Sequence, residues 1–403
     1  MKELGGLLKR AREIIYMNVK RFGDYRIVVP HYKAYPMPYC WDTAFHVLAL
    51  VHIDSQLAKE NIEGLLSFMR EDGMIPNAPI ERENQDLRSQ PPIILYAAKY
   101  YLENTNDAES LKKWYPLLKK HYEWWRKNGS PAGSIRGLIS PFSGARGYSP
   151  RAAYWAVCST GMDNHPVYDF TGGRVTKVGE YYYLEVEDLL LTGSLSAGAK
   201  ALCEIADVLG YGKDKEYFQK EFDELSLLIN EYMWFEDEGF CYPITWKGER
   251  MEIKTIQAFT MLYASVLDHS RASKLISHLT SPKEFWGEYG IPTIAFDDKL
   301  YMTKQPQWMY SRDPYYWRGP IWPPTTVLIA LGLLNYGYRD LVEKIADKWL
   351  KLIGKSGVFA EYYYENGNPG STRRFNFGWT AAATILLALK SGFAAEEEIK
   401  SKK

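Results

Sequence analysis

Twelve stretches of this chain repeat apolar residues at the helical period, and they come in pairs joined by links that are alternately short and long. The stretches are 2–20, 42–53, 55–69, 91–103, 107–127, 188–208, 213–233, 252–266, 270–279, 321–335, 338–353 and 376–390. An apolar stripe at that period commits a segment to lying against a core as a helix. Local signals mark several ends: Asp42-Thr43 and Asp54-Ser55 as caps, Ser281-Pro282 as a stop, and Asn376 where the last helix begins. Strand-like runs are short, clearest at 26–29 and 181–186. The long links, 21–41, 71–90, 129–187, 234–251, 280–320 and 354–375, are rich in Gly, Pro and aromatics. Structureless links beyond ~15 residues are uncommon in compact domains unless they carry function. The alternation predicts an all-α toroid of twelve helices with its working loops at one end. No Ser- or Gly-rich linker divides the chain, so one domain, 1–403, is expected. A helical-repeat solenoid is the alternative; unequal links and pairs without self-similarity argue against it.

Composition narrows the partners. With 46% hydrophobic residues the chain can bury a large core, and 49 basic residues cancel 49 acidic ones. Neither nucleic acid nor an anionic membrane is therefore an expected partner. The aromatic content is unusual, 15% with 31 Tyr and 13 Trp. Rings that stack on pyranose faces would explain part of that excess, and ordinary packing the rest. Cys40, Cys158, Cys203 and Cys241 are scattered without a CxxC pair, which fits a reduced compartment. The first twenty residues lack the apolar region of a signal peptide, and no run nears the ~18 apolar residues of a membrane span. The expected location is the cytoplasm.

Two acids stand out by their surroundings: Asp163 in Ser159-Thr160-Gly161-Met162-Asp163-Asn164-His165-Pro166, and Glu361 at the head of Glu361-Tyr362-Tyr363-Tyr364-Glu365-Asn366-Gly367. Cleaving a glycosidic bond needs one carboxyl to protonate the leaving oxygen and a second to activate water or attack carbon. Beside apolar Met162, Asp163 reads as a general acid with a raised pKa, or as an Asp closing its own turn by an Asx bond. Spacing alone favours the turn. Glu361 reads as a general base among tyrosine hydroxyls, or equally as a strand-edge residue paired with Arg373 or Arg374. Glu365 reads as a solvated turn residue.

The remaining candidates lie in the links or at the first turn of the next helix, where function concentrates. Trp41 and Asp42 offer a ring for stacking and a carboxylate for two hydroxyls, roles compatible with a packed Trp and a helix cap. Gln90 opens the fourth helix, and Trp379 flanks the start of the last. The run Tyr316-Trp317-Arg318-Gly319-Pro320-Ile321-Trp322 is aromatic and cationic, a composition common on sugar-binding surfaces. Arg318 would bind hydroxyls through its planar fork, or satisfy carbonyls beneath Trp322. His31, His46 and His165 lack metal-ligand spacing, so no metal site is expected. Arg136, Arg146 and Arg151 precede Asp163 as a solvated basic loop, or as groups that neutralise an acidic aglycone. GxSxG, a P-loop and GxGxxG after a strand are absent from the sequence.

Taken together and in order, these segments resemble glycoside hydrolase family 63, most of all its small single-domain mannosylglycerate or glucosylglycerate hydrolases. Trp41-Asp42-Thr43-Ala44-Phe45 is similar to the family's Trp-Asp-Ser-Ala-Phe, and Ser89-Gln90-Pro91-Pro92 to its Ser-Gln-Pro-Pro. Ser159 to Asn164 resembles the Glu-Ser-Gly-Met-Asp-Asn motif that carries the acid, which would make Asp163 that acid. Tyr289-Gly290-Ile291-Pro292 followed by the Trp317-Arg318-Gly319 run looks like another signature pair. Glu361-Tyr362-Tyr363 resembles the segment carrying the base, and Phe377-Gly378-Trp379-Thr380 the final Phe-x-Trp-Thr. The resemblance spans about residues 39–390 and implies an (α/α)6 barrel, an inverting mechanism, and no metal or organic cofactor. It also implies that Trp41, Asp42, Gln90, Trp317, Arg318, Gly319, Trp322 and Trp379 bind a small carbohydrate. The departures, Ser159-Thr160 for Glu-Ser and Asn164-His165 for Asn-Ser, fall beside the acid, where hydroxyl contacts or the aglycone are decided.

The expected activity is exo-acting hydrolysis of a small α-glucoside or α-mannoside, with a glycerate or short-oligosaccharide aglycone. A trehalase-, glucoamylase- or debranching-type activity on the same barrel is the nearest rival. A sugar epimerase or isomerase is weaker, because such enzymes rely on His for proton transfer and the 7 His here are scattered. A non-catalytic sugar binder is the remaining alternative. Self-association into a homo-oligomer is left open by the sequence.

Overall fold

The computed structural model describes residues 2–79, 88–144, 151–370 and 374–399. The fold is mostly helical. Its helices are α1 (Lys2–Met17), α2 (Cys40–Ile53), α3 (Ser55–Ser67), α4 (Ile93–Thr105), α5 (Ala108–Asn128), α6 (Ala152–Cys158), α7 (Leu189–Leu209), α8 (Gly212–Leu228), α9 (Thr260–Ala264), α10 (His269–Leu279), α11 (Pro323–Asn335), α12 (Arg339–Ser356), α13 (Gly378–Lys390) and α14 (Glu396–Ile399).

Six of these helices close a ring: α2 packs on α4, α4 on α7, α7 on α9, α9 on α11, α11 on α13, and α13 back on α2. Closure is what separates this fold from the solenoid alternative. Several ring helices are buried almost all round; α2 is buried from Cys40 through His52, and α13 from Gly378 through Ala388. A second set lies outside, with α1 on α13, α3 on α2, α5 and α8 on α7, and α12 on α11 and α13. These helices carry one apolar stripe, as in Val342, Ile345, Ala346, Trp349, Leu352 and Ile353 of α12, so they can be wet on one side and dry on the other. The helix α7 departs from the expectation that no run nears a membrane span: it is long and apolar enough by length and composition, and 89% of that stretch is buried inside the fold.

Helix ends follow local chemistry. Asp54, Asp107, Asp188 and Asp268 accept from backbone N–H groups at the starts of α3, α5, α7 and α10. Asp42 is not a cap. The helix α2 starts two residues earlier, at Cys40, which places the Asp42 carboxyl inside the first turn. The helix expected at 252–266 shrinks to a 3-10 turn at Ile256–Phe259 and the short α9, because Thr255 pairs with Ile294 as a β-bridge and Ser265 takes φ 59. Asn376 sits at φ 68, one residue before the cap of α13.

The long links carry small antiparallel sheets. A hairpin of β1 (Val19–Phe22) and β2 (Tyr25–Val28) leads into the first link. The longest link folds as β3 (Phe142–Gly144), β4 (Thr176–Val178) and β5 (Tyr181–Tyr183), in spatial order β3-β5-β4, with α6 against them. The strand expected over 181–186 therefore stops at Tyr183 and resumes as Val186–Glu187.

Candidate active site

Asp163 stands in a tight turn just after α6. Gly161 takes φ +75 there, and a Cβ on it would lie 2.5 Å from Trp41 Cζ2, so only glycine lets the turn approach that ring. The turn closes through its backbone, with the His165 N–H donating to the Met162 carbonyl at 3.0 Å. The Asp163 carboxyl is thus left facing the cavity, bonded by Cys158. Burial pushes its pKa up to about 7; the positive field of Arg88 pulls it down and Glu361 pushes it further up.

Glu361 lies on an extended segment pinned by bridges on either side, Ile321 to Tyr363 and Ala360 to Phe375. Its carboxyl is buried, 2% exposed, and heavily bonded. Tyr316 donates to Oε1 at 2.5 Å, Arg374 donates to Oε2 at 3.2 Å, and Tyr35 adds a third bond. Burial pushes its pKa above the usual carboxylate range, and these three donors, which favour the ionised form, offset only part of that rise. The pairing with Arg374 considered at the sequence level is present and coexists with a place on the cavity wall. Arg373 and Arg146 lie outside the described residues.

Two hollows meet at these acids. The inner recess, about 80 Å³, is walled by Trp41, Trp317, Trp379 and Phe377, with Asp42 and Gln90 at its polar side. The outer chamber, about 640 Å³, is lined by Tyr154, Tyr310, Arg312, Asp313, Tyr362 and Arg374 among others. Asp163, Glu361, Tyr35 and Tyr316 line both. In the recess, Gln90 Oε1 accepts from the Trp41 N–H at 3.2 Å, which orients its amide. Burial and the fields of Glu361 and Asp163 push the Asp42 pKa well up. Three carboxyl groups thus crowd one small space, an arrangement costly to folding and common where chemistry is done.

Seven of the ten sequence candidates share this cavity: Asp163, Glu361, Trp41, Asp42, Gln90, Trp317 and Trp379. Three do not line it. Arg318, 1% exposed, spends all its N–H groups on the protein: Thr303 O at 2.7 Å, Asn164 O at 3.0 Å, Asp169 at 3.0 and 2.6 Å, and Thr303 Oγ1 at 2.8 Å. No donor remains for a sugar, so the fork expected to bind hydroxyls instead braces the residue next to Asp163. Gly319 faces Met302, where φ +147 favours glycine and an added Cβ would lie 2.7 Å from the Met302 sulfur, and its N–H bonds Thr293. Trp322 is the middle ring of a stack, 3.6 Å from Trp317 and 4.8 Å from Tyr362 between centroids. It supports a wall of each hollow without reaching either.

The departures beside the acid are also internal. Ser159 and Thr160 bond the carbonyls of Ala156 and Val157, and Ser159 receives the Phe142 N–H. His165 is buried, its Nδ1 accepting from Val167 N–H and its Nε2 bonding Thr255 Oγ1 at 2.9 Å. It lines neither hollow. Arg136 is exposed, whereas Arg151 lies over Tyr310, a ring of the outer chamber, at 4.6 Å.

Sequence reasoning passed over Tyr35, Tyr154, Tyr310, Arg312 and Asp313. Only the excess of tyrosine pointed toward them, since no motif marks which rings face a cavity.

The family profile for the mannosylglycerate hydrolase MGH1-like glycoside hydrolase domain matches residues 35–380. Mannosylglycerate hydrolase MGH2 of Selaginella moellendorffii is 24% identical, the alignment covering 95% of this chain and 86% of that protein. Mannosylglycerate hydrolase of Thermus thermophilus is 22% identical, with 89% and 95% covered. The crystal structure of a GH63 mannosylglycerate hydrolase from Thermus thermophilus in complex with glucose superposes with a TM-score of 0.76 at 21% identity, covering 94% of this chain and 99% of that one. That last likeness speaks for the fold.

Proposed function

We propose that this chain, which belongs to the mannosylglycerate hydrolase MGH1-like glycoside hydrolase family and is a glycosidase, is an inverting, exo-acting α-glycosidase built as a single (α/α)6 domain. The observation that carries the reading is the position of Asp163 and Glu361 on the boundary between the two hollows. A bond placed between them has its sugar in the inner recess and its aglycone in the outer chamber. Trp41, Trp317 and Trp379 wall the sugar, while Asp42 and Gln90 take its hydroxyls. Asp163, whose pKa of about 7 keeps much of it protonated at neutral pH, gives its proton to the glycosidic oxygen. Glu361, favoured as carboxylate by Tyr316, Arg374 and Tyr35, takes a proton from water as that water attacks the anomeric carbon from the opposite face. Inversion requires ~6.5–9.5 Å between the two carboxyl groups, and ~5–5.5 Å would mean retention.

The sugar is an α-glucose or α-mannose unit. Arg312 and Arg374 on the outer chamber, with Arg151 behind Tyr310, favour a small acidic aglycone such as glycerate. The chamber's 640 Å³ supports a second reading, a sugar aglycone as in trehalose or maltose. No metal or organic cofactor enters either scheme. We place the enzyme in the cytoplasm, a reading supported by four buried free cysteines. The test is a panel of mannosylglycerate, glucosylglycerate, trehalose, maltose and isomaltose, with proton NMR of the first-formed anomer. Release of β-sugar from an α-glycerate glycoside is expected. First-formed α-sugar would overturn the inverting scheme, and glycosides left intact would overturn the activity.

A further inference from the structure

We propose that His31 is a positioning residue for Glu361, holding Tyr35 and Arg374 against it by joining the first long link of the chain to the last. The inference rests on reading Glu361 as the base. The His31 ring is buried and both nitrogens are committed. Nδ1 accepts from the Ala34 N–H at 3.0 Å and the Lys33 N–H at 3.2 Å, which puts the proton of the neutral ring on Nε2. Nε2 then donates to the Phe375 carbonyl at 2.9 Å. The ring is stacked on Tyr32, centroids 5.0 Å apart, and rests against Phe377 at 6.3 Å.

Each nitrogen therefore serves one arm of the base's surroundings. The Nδ1 side closes the turn that ends at Tyr35, whose own N–H returns to the His31 carbonyl at 3.0 Å. The Nε2 side fixes Phe375, the residue after Arg374. The two arms meet: Arg374 donates to the Tyr35 hydroxyl, its guanidinium lies 4.8 Å from the Tyr35 ring centre, and both side chains reach Glu361. The seam is reinforced nearby, where Asn18 bonds the Asn376 carbonyl and the Tyr32 N–H, and the Gly378 N–H bonds the Pro30 carbonyl. Those stitches hold backbone at residues farther from Arg374; His31 holds the two positions that aim the side chains.

The consequence is electrostatic as well as steric. Glu361 faces Tyr316, Tyr35 and Arg374, which favour its ionised form, and the carboxyls of Asp42 and Asp163, whose own raised pKa values register its charge. His31 itself faces the charges of Lys33 and Arg374. If His31 lets go, Tyr35 and Arg374 swing away, Tyr316 alone remains to hold the carboxylate, and Glu361 binds its proton more tightly.

The test is the titration of the Glu361 carboxyl, followed by carbon-13 NMR of protein labelled at glutamate carboxyl carbons and assigned against Glu361→Gln. It needs no substrate. In folded His31→Ala the titration is expected to move up by about one pH unit. In His31→Asn, whose side-chain oxygen can still accept from the turn but whose reach to Phe375 is lost, it should move part of the way. If His31→Ala does not fold, His31→Asn decides alone. A Glu361 titration unchanged in the folded variant overturns the proposal, whatever happens to activity. With a glycoside in hand, the acidic limb of kcat against pH should move in the same sense; a uniform fall in kcat without that movement would mark a merely structural His31. A shifted titration in a protein that cleaves no glycoside would sink the proposed activity and leave this positioning intact.

Discussion

The Tyr316 hydroxyl donates to Glu361 Oε1 at 2.5 Å, while the ring of the next residue, Trp317, walls the inner recess. One short segment thus orients the proposed base and shapes the proposed sugar site together. Tyr316→Phe removes the donor and keeps the ring. Losing a bond to the carboxylate raises the Glu361 pKa, so the acidic limb of kcat against pH should move to higher pH, with kcat falling roughly tenfold for about 1–2 kcal/mol. An unmoved acidic limb would show that Glu361 does not act as an ionised base.

On the proposed scheme the basic limb belongs to Asp163. As an acid it must carry its proton, so kcat should decline as pH rises through about 7. Arg88 pulls that pKa down, and Arg88→Gln is therefore expected to move the limb upward, preserving activity at more alkaline pH. Movement in the opposite direction would contradict the assignment of acid and base.

Asp163→Asn and Glu361→Gln should each abolish turnover while leaving the fold intact. Asp163→Asn should also stabilise the protein above neutrality. The folded state holds a proton that the unfolded chain releases near pH 4, so the penalty is absent at lower pH, grows between there and about 7, and is full above. Melting temperatures of both proteins at pH 4 and pH 8 check this; the gap should open only at the higher pH.

Arg318→Lys keeps the charge but cannot reproduce five directed bonds. Leaving carbonyls of Thr303 and Asn164 unpaired in a buried site is expected to cost about 2–4 kcal/mol of stability, read from the urea midpoint. The KM of the folded fraction should stay within about twofold, since no substrate contact is lost. A large rise in KM at unchanged stability would restore Arg318 to the substrate.

The ring of helices was readable because burial on all faces leaves a mark in the chain: α2, α11 and α13 are apolar almost throughout, and their outer partners carry one stripe. Ends were readable where a single Asp determined them, as at Asp54, and unreadable where tertiary pairing decided, as with Thr255 and α9. The acids were found through ordered motifs, and the recess rings Trp41, Trp317 and Trp379 with them. Arg318, Gly319 and Trp322 occupy the same motif for a different reason: they build the support on which Trp317 and Asn164 rest. A motif records both kinds of requirement without distinguishing them. Tyr35, Tyr310 and Arg312 show the converse, lining the cavity from segments with no periodicity to give them away.

The seam between the opening and closing segments joins residues very far apart in the chain; the Asn18 side chain reaches the carbonyl of a residue 358 positions later. Glu361 and Arg374 follow Asp163 by some two hundred positions, so a polypeptide clipped between them would hold the proposed proton donor and no partner for it. On the proposed scheme such a fragment would be catalytically mute, because Tyr35 and Arg374 come together only when the early and late segments are sewn to each other.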